Sequence, residues 1–456
     1  MKRLCLLGLV MVIGGTTAPA GAFDARFEAR NYAKQLERPL YQQIDPRFQA
    51  ALAYKALSGA PEVVGMMLED PDRKPINLCA PLPETCGTDG RYTTWAGHVG
   101  IRIPVAWVNR NGATISGHLW APFPDDGSPR PNPGVVIVTG DTQAPEGAYW
   151  WAAEALAEDG YQVLTWDPQG HGSSDTIGEG PDAMRDVVLQ QSSDYGSQAG
   201  LDEEFAEETT DALDFFISTP AHPYVPRRPG ARPKQTRKSS AGLVNAFNPL
   251  HSVLDPSTIG LAGHSRGATA VSILGSRDPR VGAIVAWDDL TVGGPSKISP
   301  NDTLAPLVPR APALGISSEY YIGDPPYRSK PDPQALAGAF HKYAAAGIDT
   351  AEITIRGGTH FEYSDIPVPA LTATLRGIDL AAWYTLAWFD KELKGEPSAD
   401  GRLLTARWRN DALGARVDLA HDGNLFSVYY RSQLAIHVNG RLVACGDMRA
   451  GCAAMG

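Results

Sequence analysis

One pentapeptide of this chain has the residue types and spacing that nucleophilic catalysis needs: Gly263-His264-Ser265-Arg266-Gly267. A serine hydroxyl attacks a carbonyl only when a base takes its proton, so the residue must be both exposed and held still. A GxSxG turn between a strand and a helix does this, because side chains in place of the glycines would collide with neighbouring backbone. Thr258–Ala262 reads as the strand and Ala268–Leu274 as the helix. Ser265 is then the candidate nucleophile, and the N–H of Arg266, at the helix start, an oxyanion donor.

Such a serine needs a histidine, and the chain holds ten. His360 stands out because it closes Arg356-Gly357-Gly358-Thr359-His360, directly after the strand-like Ala351–Ile355 and C-terminal to the serine. His98, His118, His222, His251, His341, His421 and His437 fall in loops, strands or helices without a catalytic setting. His264 lies inside the elbow, with its side chain expected to point away from the nucleophile's. An acid must reach the far nitrogen of the base to fix its tautomer, so it should end a strand near the nucleophile's. Asp288 and Asp289 after Val281–Trp287, Glu319 after Ala313–Ser317, and Asp324 five residues beyond Glu319 all qualify.

The elements that must carry these residues can be read from periodicity. Ile103–Val108 and Ala113–Trp120, joined at Asn109-Arg110-Asn111-Gly112, predict a β-hairpin. Val135-Val136-Ile137-Val138 is an unbroken β-branched run, as in strands covered on both faces. A helix at Tyr149–Ala157, stopped by Gly160, leads to a strand at Tyr161–Asp167. That strand–helix–strand unit recurs through Thr258–Ala262, Val281–Trp287, Ala313–Ser317 and Ala351–Ile355, and a helix at about Leu371–Leu393 follows. The fold class expected is α/β, a mostly parallel sheet with helices on both faces. Residues 23–99 read as a helical and loop-rich extension, helical around Ala29–Leu57, and residues 396–456 as a small C-terminal appendage. Between them, residues 100–395 form the main unit, with an insertion at about 175–257 before the elbow. That insertion carries a helix at about Asp202–Ile217 and then Arg227, Arg228, Arg232, Lys234, Arg237 and Lys238 among prolines, a composition expected of a mobile linker or lid.

From about residue 100 to 395 the chain resembles the α/β-hydrolase superfamily, and within it secreted bacterial esterases of the dienelactone-hydrolase and polyester-hydrolase neighbourhood. Three motifs carry the likeness: Val138-Thr139-Gly140-Asp141, the turn Asp167-Pro168-Gln169-Gly170-His171-Gly172-Ser173-Ser174, and the elbow. The resemblance makes His171 a structural residue of its turn. A threonine precedes Gly140 where the family carries a His-Gly pair; by position the second oxyanion donor is the backbone N–H of Asp141, with Thr142 as the alternative. It also implies that the acid follows the strand Ala313–Ser317, which favours Glu319, or Asp324, over the Asp288–Asp289 pair. The activity implied is ester hydrolysis through an acyl-enzyme, with peptide or amide hydrolysis on the same fold, or an exported, catalytically silent binding protein, as alternatives. Neither a metal nor an organic cofactor is implied. The substrate expected is a small-molecule or polymeric ester, and the resemblance leaves the oligomeric state open.

Residues 1–22 have the form of a secretory signal peptide: Lys2 and Arg3, an apolar run from Leu4 to Ile13, and Ala20-Gly21-Ala22 before Phe23. Beyond it remain Cys79, Cys86, Cys445 and Cys452, two pairs each enclosing six residues, so local disulfides are expected in an oxidising compartment. The formal net charge is −11, and −13 without Lys2 and Arg3, which disfavours nucleic acid and anionic lipid as partners. No later segment has the roughly 20 apolar residues that a membrane span needs, so no membrane anchor and a secreted protein are expected. Tyr149, Trp150 and Trp151 are either core residues or an aromatic pocket lining.

Overall fold

The computed structural model describes residues 24–26, 29–30, 46, 50, 64–73, 97–123, 131–140, 144–178, 198–288, 290–295, 303–320, 331–364, 375–404 and 424–452. The leader-like segment, most of Ala29–Leu57, Cys79, Cys86, Asp141, Thr142, Asp289, Asp324 and His421 lie outside them.

The strands are β1 (Gly100–Val108), β2 (Thr114–Pro122), β3 (Asn132–Val138), β4 (Gln162–Trp166), β5 (Leu254–His264), β6 (Val281–Trp287), the short pair β7 (Gly294–Pro295) and β8 (Thr303–Leu304), β9 (Ala313–Tyr320), β10 (Thr350–Thr359), β11 (Gln433–Val438) and β12 (Arg441–Cys445). Helices α1 (Trp150–Glu158), α2 (Gln198–Phe216), α3 (Arg232–Ser240), α4 (Arg266–Arg277), α5 (Gly338–Ala345), α6 (Leu375–Phe389) and α7 (Pro397–Leu403) join them. All but β7 and β8 form one sheet, ordered β1-β2-β4-β3-β5-β6-β9-β10-β11-β12. From β4 to β10 every neighbouring pair is parallel. The expected hairpin is the antiparallel pair β1–β2, with Ile103 opposite Leu119 and Val108 opposite Thr114.

Both faces of the parallel strands are buried, which is why β3 can be apolar at every position from Val135 to Val138. Alternate residues serve opposite cores. Val135, Ile137, Val163, Val285 and Ile353 pack with Trp151 and Leu156 of α1 and Tyr384 and Trp388 of α6. Val136, Val138, Leu164, Leu261 and Ile284 pack with Phe215 of α2 and Val271 and Ile273 of α4. Among the described residues, no helix is long and apolar enough to cross a membrane.

Two expectations about the periphery are corrected. The basic stretch is not a mobile linker. Pro229–Ala231 forms a 3-10 turn leading into α3. Lys234 and Lys238 are buried, Lys234 Nζ donating to Gly112 O at 2.7 Å and Lys238 Nζ to the Asp70 carboxylate. Gln235 Oε1 accepts the N–H of Val108 at 2.9 Å, so α3 is fastened to β1. The C-terminal strands likewise do not stand apart. β11 pairs antiparallel with β10, Thr350 opposite Ala435, and thereby extends the central sheet. Cys445 and Cys452 form the local disulfide expected of them.

Candidate active site

The carboxyl ends of parallel strands are where an α/β sheet leaves room for a ligand. β5 ends there at His264, and Ser265 follows with φ 58° and ψ −120°, a conformation costly for any residue with a side chain. Its N–H donates to Trp287 O at 3.0 Å, and its carbonyl accepts the N–H of Ala268 at 2.9 Å, so the elbow is fastened to β6 on one side and opens α4 on the other. The elbow also crosses close to β3: a Cβ on Gly267 would come within 2.5 Å of the carbonyl oxygens of Val138 and Thr139, and one on Gly263 within 2.3 Å of Gly267 O. Arg266, the first residue of α4, has its N–H in the turn where helical amides have no intrahelical acceptor. Its side chain pairs with Asp202 of α2 at 3.2 Å.

His360, just past β10, brings Nε2 to 2.9 Å from Ser265 Oγ. Its Nδ1 lies 2.5 Å from Asp288 Oδ2. A carboxylate can only accept, so Nδ1 carries the proton and Nε2 accepts from the serine hydroxyl. Asp288 follows β6 directly and adopts a φ of 56°, a turn that aspartate tolerates better than most residues and that aims its carboxylate across β9 towards β10. Its second oxygen is occupied by the N–H of Ser318 at 2.9 Å.

Glu319, favoured above as the acid, does not reach the histidine. Its carboxylate faces Arg356, with Oε2 2.5 Å from Nη1, and both side chains are fully buried. It also accepts the N–H of Gly357 at 2.7 Å, the hydroxyl of Ser427 at 2.5 Å and the N–H of Val428 at 3.2 Å. The reason is strand alternation: Ser318 and Glu319 project to opposite faces, and only the first face holds His360. Asp288 was among the candidates, and the signal that favours it is its place directly behind β6, the neighbour of the strand that ends before Ser265.

Gly140, on one side of the segment between β3 and α1, borders the same site; Asp141 and Thr142 fall outside the described residues. On the near flank the N–H of Gly140 donates to the Tyr149 hydroxyl at 2.9 Å. Beyond it, His171 Nδ1 lies 3.2 Å from Ala144 O, in keeping with a structural role for that turn. The Glu146 carboxylate takes His118 Nδ1 at 2.6 Å and the Thr165 hydroxyl, while its N–H donates to Asp167 Oδ1 at 2.7 Å. Burial, with Glu146 alongside, pushes the Asp167 carboxyl up to about 7. Tyr149 and Trp151 are core residues and Trp150 is partly exposed, its ring under the Arg102 guanidinium at 4.5 Å. Away from the site, His251 bonds Asn248 O, His341 bonds Gln334 and His437 bonds Asp349.

No protein-family model matches this chain, and no curated protein matches it.

Proposed function

We propose that this chain is a serine hydrolase of the α/β-hydrolase kind, exported from the cell, that cleaves carboxylic esters through an acyl-enzyme. The observation that carries the reading is the unbroken hydrogen-bond path from Ser265 Oγ through His360 to Asp288 at the carboxyl edge of the parallel strands. Ser265 attacks the ester carbonyl while His360 Nε2 takes its proton. Asp288 holds the ring in the required tautomer and stabilises the imidazolium that forms. The protonated His360 then delivers its proton to the departing alcohol, and the same base activates the water that clears the acyl group.

Negative charge on the carbonyl oxygen is met by backbone. The Arg266 N–H at the start of α4 supplies one donor. The N–H of Gly140 is committed to Tyr149, so the second donor comes from the residues that follow Gly140, as the position of Asp141 suggests. Export is supported by the leader-like residues 1–22 and by the Cys445–Cys452 disulfide, a bond that persists in oxidising compartments.

Pre-steady-state hydrolysis of p-nitrophenyl esters of increasing acyl length tests the reading. A burst of one equivalent of p-nitrophenol, abolished in Ser265→Ala, is expected, with aminoacyl p-nitroanilides turned over more slowly. Absence of turnover by the folded protein would remove the hydrolase reading, and faster cleavage of the anilides would replace esterase by peptidase.

A further inference from the structure

The buried side of the elbow carries a second chain of hydrogen bonds that the reaction above does not use. His264, the residue before the nucleophile, is buried, with its Nε2 2.7 Å from the carbonyl oxygen of His360 and its Nδ1 2.7 Å from the hydroxyl of Tyr149. The same hydroxyl oxygen accepts the N–H of Gly140 at 2.9 Å. The direction of every bond in this chain is dictated by its ends. A carbonyl oxygen can only accept, so Nε2 of His264 carries a proton. In the neutral ring Nδ1 is therefore the acceptor, the Tyr149 O–H donates to it, and the remaining lone pair of the phenol oxygen takes the Gly140 N–H. Burial holds the His264 imidazole down to about 3 and pushes the Tyr149 phenol above its ordinary value, so neither group charges near neutral pH.

Resting on the hydrolase reading, we propose that Tyr149 and His264 are positioning residues that hold the backbone at Gly140 and the His360 loop in fixed register with Ser265. The chain starts at the backbone of Gly140, where the loop after β3 passes the elbow. Close approach is part of the arrangement, for a Cβ on Gly140 would sit 3.0 Å from Tyr149 Oη, 3.1 Å from His264 Nδ1 and 3.3 Å from Ser265 Cβ. It ends on the main chain of the base itself. The Tyr149 ring is in turn held parallel to that of Trp287, centroids 6.4 Å apart and planes within 3°, and Trp287 directly precedes Asp288. One phenol thus borders Gly140, the residue before the nucleophile and the residue before the acid.

Removing that hydroxyl has a definite consequence. His264 keeps its proton on Nε2, because the His360 carbonyl 2.7 Å away can only accept, but Nδ1 is left buried without a donor and the ring loses its tie to the chain after β3, so the His360 loop and Gly140 are no longer held in common register. Gly140 would lose its acceptor at the same time.

Kinetics of the full-length protein test this. Tyr149→Phe is expected to lower kcat on p-nitrophenyl esters by roughly 10- to 100-fold, as for a displacement of reacting groups by about 1 Å. KM should stay near its wild-type value, and fluorophosphonate labelling of Ser265 should slow in parallel. Tyr161→Phe is the control, since its buried hydroxyl donates to Asp390 at 2.8 Å in a different network; it should lose stability but keep kcat. Of two changes at His264, Gln keeps an N–H able to reach the His360 carbonyl and Phe does not, so His264→Gln should retain more kcat than His264→Phe. That ranking decides the matter if Tyr149→Phe does not fold. Wild-type kcat and labelling rate in folded Tyr149→Phe, an equal kcat loss in Tyr161→Phe, or no difference between the two His264 variants would overturn the proposal. A wild-type protein that neither turns over esters nor labels would remove the hydrolase reading and this proposal with it, whereas an active wild type with indifferent variants would remove the proposal alone.

Discussion

Ser318 grips Asp288 through the backbone: its N–H donates to Asp288 Oδ1 at 2.9 Å, leaving Oδ2 for His360. The Ser318 hydroxyl donates to the carbonyl of Thr359 at 2.7 Å, one residue before His360. A single residue of β9, lying between β6 and β10, therefore sets the distance between carboxylate and imidazole. The spacing of the two partners is a property of the sheet rather than of flexible loops.

Asp288→Asn should leave folding intact and lower kcat by on the order of a thousandfold to ten-thousandfold, because the amide can present an N–H to Nδ1 and stabilise the wrong tautomer. Steady-state kinetics beside a thermal melt would check it. Near-normal turnover in the folded variant would mean that the carboxylate beside His360 has no part in the reaction.

Glu319→Gln should behave in the opposite way. Arg356 would keep its charge in a fully buried place after losing the carboxylate, and breaking a buried pair from one side costs about 3–5 kcal/mol. Denaturant unfolding should show that loss while the surviving native fraction keeps its pH–rate profile. An unchanged unfolding midpoint would contradict the buried pairing of Glu319 with Arg356.

How far the site was legible in the sequence can be followed through these residues. The candidates Ser265 and His360 stand out because each follows an apolar strand run and adjoins glycines, which lie at the strand-to-helix turn around Ser265 and at an irregular end of β10 before His360. The choice between Asp288 and Glu319 depends on which face of β9 meets His360, and on Arg356, whose burial no local pattern announces. Sequence periodicity says that Ser318 and Glu319 point opposite ways but not which way is up. The basic run from Arg227 to Lys238 misleads for a related reason. Its composition is that of a solvated linker, yet Lys238 is paired with Asp70, 168 positions away, and that partnership is invisible along the chain. The alternation of strands and helices was legible throughout because two-sided burial forces continuous apolar runs.

Limited proteolysis follows from the order found in that segment. Trypsin needs an extended backbone, and α3 holds Lys234 and Lys238 buried in a helix fixed to β1. Native protein should resist cleavage between Arg232 and Lys238 while cutting proceeds elsewhere, as mass mapping of early fragments would reveal. A first cut within those residues would contradict the packing of α3.

Acid should weaken the fold partly through His264. Its folded-state value of about 3 lies below the ordinary 6.5, so the unfolded chain binds the extra proton first. The His264 contribution is complete above the ordinary value and is lost as the pH falls towards the folded one, at roughly 1.4 kcal/mol per pH unit within that window. Comparing unfolding free energies of wild type and His264→Gln across the window isolates this contribution, and the variant should show the shallower dependence. Equal slopes would mean that His264 is not held neutral.

Fluorophosphonate labelling tests the central claim most directly, because it asks only whether Ser265 is an activated nucleophile and requires no knowledge of the substrate. The folded protein should take up one equivalent at Ser265, located by peptide mass, with no uptake in Ser265→Ala and greatly slowed uptake in His360→Gln. A folded wild-type protein that stays unlabelled, or that labels at another residue, would contradict the account.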